Sequence, residues 1–214
     1  MGLSCFSKNS NTEISDAPIF FPYDFAVVWD HIHSYPDYVS TSPEKQREFL
    51  KFALDVVKLD LQGYTISKMF YQEDARMNPR IFPAAGICPP IEKKEISFEG
   101  KTVLTMPYSG KKLINAIMDI NRKGFQKQKD SSGIYFQDIN LLILQNGQHH
   151  SAVASIRGGG SVIAEVYNLS DAFEHLTISE DYKYWIIDGR QKIDIEDPRF
   201  ALLYELTKEI ENLI

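Results

Sequence analysis

Two adjacent histidines lie in a polar segment that follows an apolar run near the middle of the chain. The run ends at Leu144, and residues 146–151 have the sequence Asn-Gly-Gln-His-His-Ser. Asn-Gly readily takes the positive-φ conformations that turn a chain sharply out of a strand. An imidazole exchanges a proton near neutral pH, which suits it to general acid or base catalysis. The segment therefore predicts a site at the end of a strand, with His149 and His150 as its candidate catalytic residues.

The chemistry of this segment depends on whether residues 149–157 form a helix or a strand. A helix would gather its apolar residues on one face and end at the glycines 158–160, which are natural C-caps. A strand would alternate apolar and polar residues, and the same glycines would form a hairpin loop. The alanines and the C-terminal Arg157 favour the helix.

On the helical interpretation, residues 146–151 lead from a strand into the first turn of a helix. Backbone amides at such a helix start point outward, and together with the helix dipole they bind anionic phosphate groups. The ligand-binding residues predicted from this geometry are Asn146, Gly147, Gln148 and Ser151. His149 and His150 would add donors beside the phosphate.

This arrangement resembles the ParB/sulfiredoxin-like family, in which a strand leads into a Gly-x-[His/Arg]-Arg-x-x-Ala turn and a helix that contacts a nucleotide phosphate. The similarity covers about residues 95–175, and here His150 replaces the family's arginine and Val153 its usual alanine. The elements that agree in order are a helix at 110–124, a strand at 139–145, the turn at 146–151, a second helix and a strand at 162–167.

The resemblance implies a nucleotide ligand, with Mg²⁺ as its companion cofactor, and either phosphotransfer or hydrolysis as the reaction. The segment is also similar to an Asn-Gly-x-His-Ser type of motif in uncharacterised bacterial domain families, which implies no activity. A separate alternative is a non-enzymatic interaction protein, for example of a bacterial or mobile-element system. The turn and its histidines would then only stabilise the fold.

A thiol hydrolase is a further alternative, in which Cys88 and His149 form a thiolate and imidazole pair. Asn168 could orient the ring of His149 in that arrangement. Cys88 is followed by Pro89 and Pro90, however, so it does not begin a helix whose N-terminus would lower the thiol pKa. The sequence therefore favours the phosphate site over this pair.

No metal site is predicted. His31 and His33 could approach His149 and His150, but the sequence has no His-x-x-x-His or Cys-x-x-Cys spacing. Two histidines next to each other also point in different directions on either a helix or a strand. Gly110-Lys111-Lys112 lacks the rest of a phosphate-binding loop, and we expect its lysines to cover the start of a helix.

Composition restricts the partners and the compartment. The chain has 214 residues, 43% of them hydrophobic, and a formal net charge of −6, so broad binding to nucleic acid is not expected. The two cysteines, Cys5 and Cys88, do not make a disulfide framework, which predicts a cytoplasmic location. No apolar run reaches the roughly 18 residues that a transmembrane helix needs. The expected partner is a small phosphorylated ligand or another protein.

The sequence also predicts the elements that must position the site. They form a single α+β domain with a mixed sheet, an N-terminal helical portion and a C-terminal helix. We divide the chain into a flexible arm (1–17), a helical portion with a Pro-rich connection (18–92) and an α/β core (93–214). Asp24, Ser42 and Ser109 are placed to cap helices. The helix that begins near Pro43 is expected to be amphipathic and to continue through Leu59.

Hydrophobic patterns predict the remaining elements. The segments 95–98 and 102–106 alternate around Glu99-Gly100-Lys101 and are expected to form a hairpin with one buried face. The run 139–144 is nearly all apolar, which is typical of a central strand. Further strands are predicted at 134–136, 162–167, 182–187 and 193–195, and a last helix begins after Asp197-Pro198.

Overall fold

The computed structural model describes residues 24–34, 42–71, 83–126 and 130–213. In these ranges the helices are α1 (Phe25–His33), α2 (Pro43–Tyr71), α3 (Ala84–Ile87), α4 (Gly110–Lys123), α5 (Gln148–Ile156) and α6 (Pro198–Asn212). The strands are β1 (Glu92–Ser97), β2 (Thr102–Leu104), β3 (Ser132–Phe136), β4 (Leu141–Leu144), β5 (Ser161–Tyr167), β6 (Leu176–Ile178), β7 (Tyr184–Ile187) and β8 (Gln191–Asp194). The arm predicted at 1–17 lies outside the described residues. Within them, no helix has the length and apolar character needed to cross a membrane.

A five-stranded mixed sheet in the order β1-β5-β3-β4-β2 forms the centre of the structure. Helices α4 and α5 pack on one face, where Ala154 and Ile120 join a buried cluster with residues of all five strands. On the other face, α2 and α6 pack with a second core, which also takes in α1 and α3. The chain is thus a single domain of mixed helix and sheet with N-terminal helices and a C-terminal helix, and the predicted fold class is confirmed.

The position of strand β4, covered on both faces of the sheet, explains why its sequence is continuously apolar. Leu142 and Leu144 point into the cluster beneath α4 and α5, whereas Leu141 and Ile143 point into the core beneath α2 and α6. All four side chains are buried. A strand covered on both faces has no polar side, and this confirms the interior position predicted from the run.

The predicted hairpin between residues 95–98 and 102–106 is wrong. β1 pairs with β5 and β2 pairs with β4, so the two strands lie at opposite edges of the sheet. Five strands at their usual spacing would be about 19 Å wide if flat, whereas the short connection 98–101 reaches only about 17 Å. The sheet must therefore curve. All of β2 is buried, so it has no exposed face of the kind that the hairpin prediction assumed.

The C-terminal third of the chain adds a second sheet in the order β6-β7-β8. β7 and β8 match the strands predicted at 182–187 and 193–195, whereas β6 was not predicted. Trp185 from β7 and Tyr204 from α6 are fully buried and meet edge to face, with ring centroids 5.6 Å apart. The Tyr204 hydroxyl donates to the carbonyl of Leu176. Because the sheets and α2 surround it, α6 is buried on nearly every side.

Helix α2 is longer than predicted and continues to Tyr71. A short helix, α3, also forms within the Pro-rich connection. The core beneath α2 and α6 contains side chains from both sides of the predicted boundary at residue 92, among them Leu50 and Leu203. The helical portion and the α/β core therefore share one hydrophobic interior.

A buried ion cluster fixes α6 against α2. Asp197 caps α6, and its carboxylate accepts hydrogen bonds from the Arg199 backbone and guanidinium. The same guanidinium donates to Asp60 of α2 at 2.9 Å and lies 4.1 Å from the centre of the Tyr64 ring. Arg199 and Asp197 are each only 7% exposed. The cluster thus gives a buried guanidinium the partners that its charge requires.

Candidate functional site

The segment that follows β4 is a strand, a tight turn and a helix. The backbone amides of Gln145 and Asn146 donate to the carbonyl of Ser132, and this pairing ends the strand. Gly147 then takes a φ of 78° and α5 begins at Gln148, so the helical interpretation of residues 149–157 is confirmed. A Cβ at Gly147 would lie 2.3 Å from Ser131 Oγ, so the turn requires glycine for space as well as for conformation.

Helix α4 begins beside α5. Ser109 caps α4 by accepting from the amide of Lys112, as predicted. The amide of Ser109 donates to His149 Nε2 at 3.2 Å, which joins the starts of the two helices. At their far ends, Arg157 donates to Asn121. The helices therefore run side by side in the same direction, with Leu113, Ala116, Ala152 and Val153 packed between them.

A cleft of about 450 Å³ opens at the shared N-terminal end of α4 and α5. It is lined by Tyr108, Lys112, Asn115 and residues 145–150. Among these described lining residues there is a lysine and no carboxylate. Both helix dipoles direct their positive ends to this side of the molecule. The cleft is therefore suited to an anionic group.

Gln148 takes a structural role in this arrangement. Its side-chain oxygen accepts from the amide of Met106 at 2.7 Å, and its nitrogen donates to the carbonyl of Leu144. These two bonds connect the loop before α4 to the end of β4. Gln148 also borders the cleft, so it holds the wall that a ligand would contact.

His149 is buried, with 8% of its surface exposed. Its Nε2 accepts from Ser109, so the proton of the neutral ring is assigned to Nδ1. The ring of Tyr108 packs against it at 4.7 Å between centroids. Burial lowers the pKa of His149, and the positive charges of Lys112 and His150 lower it further. His149 therefore acts as a neutral acceptor that fixes the loop before α4.

His150 and Asn146 are the more accessible members of the predicted set. The His150 side chain is 24% exposed, and its Nε2 lies 3.9 Å from Asp119 Oδ2 on α4. The Asn146 amide nitrogen donates to Ser132 Oγ at 3.1 Å. Both residues line the cleft. Both candidate catalytic histidines line the cleft, and His150 is the more accessible of the two.

Ser151 lies apart from the others. It is 1% exposed and does not border the cleft, and its hydroxyl has no hydrogen-bond partner among the described residues. The structure thus brings Asn146, Gly147 and Gln148 to the cleft and leaves Ser151 in the interior.

Three lining residues on the α4 side were not in the predicted site. Lys112 was assigned only to covering a helix start, yet it donates to the Tyr108 hydroxyl at 2.8 Å and lies 4.8 Å from the centre of that ring. Asn115 follows one turn later on the same side of α4. The Ser109 cap marked the start of this helix in the sequence. Nothing in the spacing marked that α5 would begin beside it.

The described residues support neither a reactive thiol at Cys88 nor a metal site at the histidines. The Cys88 thiol donates to the carbonyl of Asp171 at 3.3 Å, and burial, followed by the charge of Asp171, raises its pKa. An activated thiol nucleophile needs the opposite shift. His33 lies between the Trp29 carbonyl and Glu209, both at 2.8 Å, and so connects α1 to α6. Among the described residues, no group of three or more His, Cys, Asp and Glu could hold a metal ion.

The lowered pKa of His149 predicts a specific pH dependence of stability. The unfolded chain binds a proton on this ring near the ordinary value of 6.5, whereas the folded chain binds it only at lower pH. The contribution is therefore complete above pH 6.5 and is lost as the pH falls below it. His149→Gln, which does not titrate, should reduce the loss of unfolding free energy between about pH 7 and pH 5. Urea unfolding across that range measures it, and equal slopes for both proteins would contradict the assignment.

The sequence comparisons give a family and no neighbour of known function. A family model described as "Family of unknown function (DUF6710)" matches residues 6–213. No curated protein and no solved structure matches the chain.

Proposed function

We propose that this chain, which belongs to the DUF6710 family of unknown function, binds a small phosphorylated ligand of the nucleotide class in the cleft between the first turns of α4 and α5. The observation that carries the proposal is the convergence of two parallel helix N-termini on one cleft. Lys112 lies in its lining, and no carboxylate is found among the described lining residues. The cleft volume of about 450 Å³ is within the usual range for small-molecule sites.

The first turn of α5 supplies the main phosphate contacts in this proposal. The first amides of a helix have no acceptor within the helix, and side chains at the N-cap normally satisfy some of them. Gly147 is the N-cap of α5 and has no side chain to do so. A phosphate oxygen in the cleft would accept from these amides, as anions do at other helix starts.

The side chains around the cleft supply charge and selectivity. The Lys112 ammonium would add a charge-assisted bond to the phosphate, and the Asn115 and Asn146 amides could donate to it or to the remainder of the ligand. His150, at the rim, is the group placed to exchange a proton if phosphotransfer or hydrolysis occurs, as the ParB/sulfiredoxin-like resemblance implies. His149 would keep the Ser109 loop in position.

Magnesium is not held by the cleft itself in this account. Protein sites for Mg²⁺ normally use one or two carboxylates together with substrate phosphates. The described lining offers amide oxygens and no carboxylate, so the residues do not fit a resident Mg²⁺. A magnesium ion would have to enter with the nucleotide, coordinated by its phosphates.

The test is calorimetric titration with AMP, ADP, ATP, GTP and pyrophosphate, each with and without magnesium. We expect saturable binding of at least one of them. Lys112→Ala should weaken it about tenfold, which corresponds to about 1.4 kcal/mol. The matched control is Lys111→Ala, since Lys111 is exposed and does not line the cleft. Absence of saturable heat, or equal weakening by the two alanine variants, would refute the proposal.

A further inference from the structure

Helix α2 carries apolar residues on two opposite faces. Leu50, Leu54, Val57 and Leu61 are buried in the core that α2 shares with α6. Two positions out of phase with them runs a second series, which we call the outer stripe and which consists of Phe52, Val56, Leu59, Gly63, Ile66 and Phe70. Two residues correspond to about 200° around a helix, so the outer stripe faces away from the core. The helix therefore has two apolar faces, whereas an amphipathic helix with one apolar face was predicted.

Three side chains of the outer stripe are exposed to an extent that is unusual for large apolar residues. Phe52 is 67% exposed, Leu59 61% and Phe70 69%. Burying side chains of this size in a partner would favour association. Contiguous apolar surface on a soluble chain commonly marks an interaction site.

The spacing of the outer stripe is that of a coiled-coil seam. Its positions follow one another at intervals of four, three, four, three and four residues. This alternation keeps a row of side chains facing a partner helix that lies alongside. From Phe52 to Phe70 the row is about 28 Å long at 1.5 Å per residue. That length is enough for a helical partner of five turns.

Gly63, in the middle of the outer stripe, leaves the α2 backbone open to contact. A Cβ placed there would meet nothing within 4 Å, so the packing of this chain does not require glycine. Glycine is also less favourable than alanine inside a helix. A large side chain of a partner could pack directly on the α2 backbone at this position.

The charges beside the outer stripe distinguish between partners. Glu48, Asp55 and Asp60 lie at the positions that flank a coiled-coil seam, and their side chains are 68%, 65% and 44% exposed. The cations paired with Asp55 and Asp60 are Lys58 and Arg199, whose side chains are only 5% and 8% exposed. The flanks of the stripe therefore present carboxylates to solvent and keep two of their counter-ions inside.

A parallel pair with a second copy of this chain does not suit such flanks. In that pair, Asp55, which precedes Val56 of the outer stripe, faces the residue five positions later in the partner. Asp55 would face Asp60 of the other copy, and like charges across a seam oppose association. Lysine or arginine at the same positions of a different helix would instead complement the carboxylates.

We propose that the outer stripe of α2 is the docking surface for an amphipathic helix of another protein, whose apolar seam is flanked by basic residues. The surface involves none of the residues that line the cleft, so this proposal is independent of the proposed function. The apolar seam would supply the affinity. The acidic flanks would select the partner and its register.

The test uses a synthetic 21-residue helical peptide with leucine and isoleucine at the seam positions and lysine at the flanking positions. A second peptide carries glutamate at the flanks. Fluorescence anisotropy with the full chain should show saturable binding of the lysine peptide and binding of the glutamate peptide at least tenfold weaker. Sedimentation velocity of the chain alone should show a monomer.

Two substitutions locate the binding. Leu59→Asn should weaken the lysine peptide at least tenfold. The matched control is Ile114→Asn on α4, because Ile114 is also 61% exposed and lies outside the stripe. The proposal is overturned if neither peptide binds, if both bind equally or if the two variants behave alike. It is also overturned if Leu59→Asn dissociates a dimer of this chain, or if the peptide binds only after removal of residues 1–23, because the stripe would then be covered by a copy or by the chain itself.

Discussion

Gly147→Ala is expected to lower the free energy of unfolding by about 2–4 kcal/mol and to abolish ligand binding in the cleft. The φ of 78° at this position is strained for any residue with a Cβ, and the new methyl group would lie 2.3 Å from Ser131 Oγ. Ser131 is itself buried, and even if its hydroxyl rotated away, its Cβ would lie 3.1 Å from the new methyl group. The first turn of α5 would have to shift, and with it the amides that we assign to the phosphate.

The control for this substitution is Gly158→Ala. Gly158 has a φ of +72°, but a Cβ there meets nothing within 4 Å, so only the conformational cost of about 1 kcal/mol remains. A Ser131→Ala background should bring the cost of Gly147→Ala toward that of the control, since the nearest atom would then be Ser131 Cβ at 3.1 Å. Urea unfolding of the four variants measures these differences. Equal costs at Gly147 and Gly158 would contradict the role assigned to the turn.

Asp197→Ala is expected to destabilise the fold by about 3–5 kcal/mol, because it leaves the buried Arg199 guanidinium without its main partner. The carboxylate of Asp197 accepts the bonds from Arg199 Nε and Nη2 and caps the first turn of α6. Asp60, whose side chain is 44% exposed, would remain as a counter-ion of Arg199. The charge of Arg199 would then stay buried with less stabilisation, or α6 would have to move out of the core to bring it to solvent.

Asp24→Ala provides the matched comparison. Asp24 also caps a helix, by accepting from Ala26 and Val27 at the start of α1, but it is exposed and these bonds involve no buried cation. Its loss should cost only about 1 kcal/mol. Thermal or urea unfolding separates the two values. If both aspartates cost the same, Asp197 acts as a cap alone and the ion cluster does not stabilise the junction of α2 and α6.

Features that depend on neighbouring residues could be predicted from the sequence. Asp24 and Ser109 cap the helices that they were expected to cap, and the last helix begins after Asp197, as predicted. The apolar run before Gln145 forms an interior strand, and Asn146-Gly147 ends it with a tight turn. These signals are local, since a cap or a positive φ needs only a few residues to be satisfied.

Features that depend on distant partners could not be predicted in the same way. The alternation around Gly100 indicated two strands with one buried face, but it did not show that they would pair with β5 and β4 and not with each other. The pattern of α2 predicted a single apolar face and did not separate the buried residues from the outer stripe, because five apolar residues and a glycine at this spacing resemble ordinary helix sequence. Strand pairing and helix faces are decided by the whole core.

Only part of the site could be predicted, because some of its residues come together only through packing between distant elements. Residues 146–150 were identified because their motif is contiguous, whereas Lys112 and Asn115 join them only through the parallel packing of α4 on α5. His149 lines the cleft, and the nearby Ser109 amide donates to its Nε2, a contact that the sequence did not indicate. Ser151 was also expected at the site, and the helical turn directs it inward.

The most direct test of the central claim is to map backbone amide chemical shifts while pyrophosphate and then ADP are added. We predict saturable shifts at Gln148, His149 and His150 and at residues 110–112, with the same set moved by both compounds. The side-chain chemical shifts of the lysine and asparagines in the cleft should differ between the ADP and the pyrophosphate complexes. Absence of saturable shifts in the first turns of α4 and α5, or saturation at another surface, would contradict the assignment of the cleft as a phosphate site.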